Sequence, residues 1–126
     1  MAQTADIENL QIILQVPISN INYQQGCADI YSDGTKIGTL FTYRLATVTT
    51  FDTAQSEVNK LNWMTIFQKY KEEFTTLVAK ELPDQELLIV PATFGHIYVK
   101  DRKTTDLLGY YKCTFLKSGW QVFKSA

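Results

Sequence analysis

One histidine, two cysteines and three prolines are all that 126 residues supply of these types, and each scarcity excludes something. With a single imidazole, any Ser-His-Asp or Cys-His mechanism must run through His96. No GxSxG elbow marks a partner for it, and neither cysteine has a flanking signature. One histidine without a carboxylate cluster at i, i+2 or i, i+4 leaves no first set of metal ligands. GxGxxG and GxxxxGK[ST] are both missing, so the phosphate-cradling loops are absent and no cofactor is expected. Asp29, Asp33 and Glu57 are candidates for a glycosidase-like pair of acids. Turn aspartates, however, ordinarily bond to their own backbone. The sequence therefore reads as non-enzymatic.

Cys27 and Cys113 lie far apart, with no CxxC or Cys/His spacing. They read as two free thiols, small and buried, in a reducing compartment, so the expected location is cytoplasmic. The opening MAQTADIENL is acidic and lacks the basic and apolar regions of a leader. No apolar run approaches the length of a membrane span, so no membrane partner is expected. A net charge of -1 gives no whole-chain reason to bind nucleic acid.

What is present is the composition of an ordinary globular chain, 45% hydrophobic and 20% charged, and its length fits a single domain over residues 1–126. Leu10, Ile12, Leu14 and Val16 alternate with Gln11, Ile13 and Gln15, which predicts an N-terminal strand, with Pro17 marking a bulge or an edge position. Residues 19–26 read as a loop with short extended pieces. The Asp-Gly of SDGTK predicts a tight hairpin turn, followed by a long threonine-rich strand from Ile37 to about Ala46.

The period then changes. Asp52 with Gln55 has the form of a helix N-cap and its reciprocal partner. Trp63, Ile66, Phe67, Tyr70, Phe74, Leu77, Val78 and Leu82 form one helical stripe, stopped by Pro83. The spacing predicts a short helix over about 53–60, then a long one over about 62–82 with Asn62 as its cap. One kinked helix is the alternative. Beyond it, Leu87 to Val90, then GHIYVK, LLGYYKCTFL and WQVF, read as four strands, with a turn at Ser118-Gly119.

ADIYSDGTKIGTLFTYR also aligns on HIYVKDRKTTDLLGYY when shifted by 67, with five identities, which points to two similar hairpins flanking the helix. The expected architecture is α+β: a single antiparallel sheet built from N- and C-terminal hairpins, with the long helix packed on one face.

One surface stands out. From Val99 onward six cations face two acids, against six and eleven before it. If Ile97 and Val99 point at the helix, then His96, Tyr98 and Lys100 point away from it. On the next strand Tyr110, Lys112 and Thr114 would lie outside, opposite Tyr111, Cys113 and Phe115. Arg102 and Lys103 sit in the connecting loop. Aromatics among cations suit a protein interface, and equally base stacking with phosphate contact. They also fit amphipathic stems that merely cover a sheet. No RNP-type motif is present.

The reading is a small binding protein, a regulator, inhibitor or accessory factor, whose partner is another protein or a second copy. The alternative is a binder of an anionic small molecule, nucleotide or nucleic acid. The candidate binding residues are His96, Tyr98, Lys100, Arg102, Lys103, Tyr110 and Lys112.

Overall fold

The computed structural model describes residues 2–40, 61–117 and 119–125. The helix expected over 53–60, and the third strand beyond Leu40, fall outside them. The chain divides into two compact units, Met1–Asn62 and Trp63–Ala126.

In the first unit, helix α1 (Ala2–Leu14) precedes three strands, β1 (Asn20–Gln24), β2 (Cys27–Ser32) and β3 (Thr35–Leu40). The strand expected over residues 10–16 is therefore a helix as far as Leu14. Leu10 and Leu14 are buried while Ile12 is 75% exposed. The working period is thus i, i+4, not the alternation that includes Ile12. Gln15 leaves the helix with φ 58 and donates its N–H to the Gln11 carbonyl, a left-handed cap without glycine. The Gln11 side chain accepts the Ile18 N–H, turning the chain into the sheet.

The three strands form an antiparallel meander, β1-β2-β3. Asp33 (φ 48) and Gly34 (φ 82) close the β2–β3 hairpin between Ser32 and Thr35, the paired left-handed turn that Asp-Gly favours. Gly26 (φ 77) serves the turn from β1 to β2, where a loop was expected and an edge strand is found.

In the second unit, helix α2 (Trp63–Ala79) precedes β4 (Leu87–Pro91), β5 (His96–Asp101), β6 (Leu107–Leu116) and β7 (Gly119–Ser125). The helix stops three residues earlier than the stripe implied. Leu82 precedes Pro83, whose ring disfavours helical geometry there, and its N–H reaches back to the Val78 carbonyl in a closing turn. Asn62 stands at the expected cap position.

The four strands are antiparallel in the order β4-β5-β6-β7. The expected single sheet is thus two separate sheets. Each strand pairs with its sequence neighbours, and among the described residues no pairing joins the first set to the second. Local meanders satisfy the backbone at low loop-closure cost, so two similar hairpins need not share one ladder.

Helix α2 packs on one face of this second sheet. Phe74 meets the Trp120 ring edge-on at 4.8 Å, and Tyr70 reaches the same indole at 5.3 Å. Trp63, Ile66, Phe67, Phe74 and Val78 are buried against Ile97, Val99, Tyr111 and Cys113 as the core of the unit. Gly109 sits opposite Val99, and a Cβ there would lie 2.8 Å from the Tyr111 ring. The glycine is thus the space into which that ring folds.

Candidate functional site

The face of the second sheet opposite α2 is set by strand register, because directly paired residues point to the same side. His96 pairs with Lys112, Tyr98 with Tyr110, and Lys100 with Leu107 across a bulge that begins after Val99. Ile97 and Val99 are fully buried while Tyr98 is 41% exposed, which gives β5 the expected phase. On β6, Tyr111 and Cys113 point inward as expected and Lys112 is exposed. Thr114, expected outside, is buried, so the open face ends at Lys112 on that strand.

His96 is positioned by the turn from β4. Its N–H donates to the Thr93 carbonyl, and its carbonyl accepts the N–H of Ala92 and the Trp63 indole N–H at 3.0 Å. The imidazole lies parallel to the Tyr110 ring, 5.1 Å between centroids with 5° between planes. Tyr98 leans on the other ring of this pair, 4.9 Å from Tyr110 and tilted by 40°. The Tyr110 hydroxyl lies 3.1 Å from Thr93 Oγ1. His96 Nδ1 is 3.1 Å from the Phe94 carbonyl and 3.4 Å from Thr93 Oγ1. A carbonyl can only accept, so the neutral ring carries its proton on Nδ1 and presents Nε2 as the basic nitrogen. The polar partners of the imidazole among the described residues are thus a carbonyl and a hydroxyl. Among the described residues no carboxylate orients it as a triad would require.

Arg102 and Lys103 are not brought to this cluster. They occupy the β5–β6 loop at the far end of the hairpin from His96. The Arg102 N–H donates to the Glu86 carbonyl, and Lys103 Nζ lies 3.6 Å from the Glu86 carboxylate. Asp101 Oδ1 accepts the N–H of Lys103 at 2.8 Å and of Thr104 at 3.0 Å. The Thr104 and Lys103 amides hold the Asp101 carboxyl below its ordinary range, so the loop is shaped by an ionised aspartate. Lys100 lies between the two groups.

The sequence reading missed three contributors. Phe123 pairs with Lys112 and is 50% exposed, so a fourth ring joins the face. Val90 pairs with Tyr98, and Thr93 holds both Tyr110 and His96. Alternation in WQVF places Phe123 opposite in direction to buried Trp120, and that signal was available. That Phe123 meets Lys112 depends on register, which alternation leaves open. The paired positions of this face, from Leu88 and Val90 through Tyr98, Tyr110 and Lys112 to Gln121, Phe123 and Ser125, hold no carboxylate.

Among the described residues no three His, Cys, Asp or Glu side chains come together as a metal set, and no helix is long and apolar enough to cross a membrane. Both cysteines are free thiols. Comparison with protein-family models, curated proteins and solved structures found no match.

Proposed function

We propose that this chain is a small non-enzymatic binding protein, a regulator, inhibitor or accessory factor, that works by protein contact through the open face of its second sheet. The observation that supports this reading is a cluster of three rings, His96, Tyr98 and Tyr110, on an exposed face that also carries Lys100, Lys112 and Phe123. Rigid aromatics beside cations, half in water before association, are the usual anchors of an interface. The partner is another protein or a second copy of the chain.

A second reading, a nucleotide or nucleic acid held by the same face, draws on the cations Lys100, Arg102, Lys103 and Lys112. The ring packing favours it less, because a base needs an open aromatic face. Tyr110 is covered by His96 on one side and crowded by Tyr98.

The test pairs stability with affinity. A partner captured by the intact chain is titrated against Tyr98→Ala, Tyr110→Ala and Arg102→Ala. Tyr98→Ala and Arg102→Ala are expected to hold stability within about 0.5 kcal/mol. Loss of the Tyr98 anchor is expected to weaken binding by about 2 kcal/mol or more. Affinity unchanged in all three variants removes the face from consideration. Repeating the titration over a range of salt separates the two readings, since phosphate-driven binding falls steeply with salt and a mainly apolar protein interface does not.

A further inference from the structure

We infer that the free edge of β7 takes up an extended, acidic polypeptide segment as a fifth strand of the second sheet. This rests on the binding-protein reading above but uses different atoms, the backbone of β7 rather than the rings of Tyr98 and Tyr110.

Three observations carry it. First, β7 ends the strand order and pairs only with β6 among the described residues. About half of an edge strand's N–H and C=O groups point outward without a ladder partner. Second, the two edges of the sheet differ. The other edge, β4, ends in Pro91, which has no donor to offer. Seven-residue β7 contains no proline, and its Gln121, Phe123 and Lys124 side chains are exposed. Third, residues 107–126 contain no Asp or Glu side chain, against Lys112, Lys117 and Lys124.

The lysines lie on both sides of the sheet. Lys112 is beside Phe123 on the open face, and Lys124 pairs with Tyr111 on the other side. A strand added to β7 alternates its own side chains between these sides. Acidic residues on the Tyr111 side therefore meet Lys124, while apolar ones on the open side meet Phe123, with Lys112 one strand further in. A second β7 would bring its own Lys124 and no acidic side chain to the same edge, which is how lysine discourages like strands from pairing. Strand addition of this kind draws affinity from main-chain bonds and selectivity from alternate side chains.

The test uses a displayed library of random peptides about ten residues long, matched to strand length, selected on the intact chain. The expected result is enrichment of Asp and Glu over the input. The strongest peptide is then synthesised in four forms: unmodified, with its acids replaced by Lys, and with each of the two alternate sets of backbone nitrogens methylated. Only one set faces β7 in a ladder. One methylated form and the Lys form are expected to bind about tenfold or more weakly, and the other methylated form to bind as the parent does. Amide shifts should concentrate on Gln121 to Lys124.

Enrichment of basic peptides, or of none, overturns the inference. So does equal binding by both methylated forms. If binding is also lost in Tyr98→Ala, the peptide docks on the face and only the edge inference fails. An oligothymidylate that displaces the peptide and itself binds with a steep salt dependence overturns the inference and the protein-contact reading together.

Discussion

Asp29 shows how one side chain anchors the first sheet. It is 7% exposed, yet its carboxylate is fully engaged. It accepts Gln24 Nε2 at 2.7 Å and Thr39 Oγ1 at 2.9 Å, with Lys36 Nζ at 3.3 Å. It therefore ties β1, β2 and β3 through one group. Asp29→Ala strands the Gln24 and Thr39 donors and should cost about 1–3 kcal/mol in denaturant unfolding. Lys36→Ala should cost less than about 1 kcal/mol, because its ammonium is half in water. Cys113 gives a pH signature. Burial pushes its thiol from an ordinary value near 9 up to about 12. Above pH 9 the unfolded chain releases a proton that the folded chain keeps. The neutral thiol is thus no burden below pH 9, and stability falls as pH climbs from about 9 to about 12. Cys113→Ala should show a shallower alkaline decline. In native protein at pH 8, a thiol reagent should modify half-buried Cys27 well before Cys113.

At the scale of elements, α2 carries the clearest expectation. Phe74 touches Trp63, Phe67, Tyr70 and Trp120, so truncation removes the centre of the aromatic cluster. Phe74→Ala should lower stability by about 3–5 kcal/mol, read from the denaturant midpoint. This helix was legible because a stripe of large apolar residues at 3.6 spacing has one physical solution. The four C-terminal strands and the Asp-Gly turn were legible for a similar reason, since alternation and turn chemistry are local. Helix α1 was not. Its apolar residues satisfy a strand template and a helix template alike over 10–14, and exposed Ile12 supplied the false alternate. The division into two sheets was also hidden, because alternation fixes which side a residue faces and not which strand lies beside it. The echo between the hairpins shows the same gap. Both contain a bulge, but one turns through two residues and the other through a longer loop held by Asp101. Of the candidate site, His96, Tyr98, Tyr110 and Lys112 converge as the alternation implied. Arg102 and Lys103 do not, because their loop is held by Glu86, which comes from the segment leading into β4 and is remote in sequence.

Across the whole molecule charge is unevenly divided. Residues 1–62 carry three cations and six acids, and residues 63–126 nine and seven. An acidic partner would be steered toward the second unit, and steering acts mainly on the association rate. Lys112→Glu should therefore slow association most at low salt and flatten its decline with ionic strength, while exposed Lys112 leaves the melting temperature nearly unchanged. Stopped-flow association at two ionic strengths checks both. The aromatic core of the second unit has one more consequence. The chain's two tryptophans, Trp63 and Trp120, both belong to that unit, and both are buried. Trp63 donates its indole N–H to the His96 carbonyl, while the Trp120 N–H has no partner among the described residues. Tryptophan fluorescence, excited at the red edge where tyrosine does not absorb, is consequently a private channel for residues 63–126, silent about the meander of β1, β2 and β3, which carries tyrosines but no tryptophan. Circular dichroism, which registers both sheets, hears the two units together. Any temperature interval between the optical and the dichroic transitions measures directly how far the first unit melts on its own.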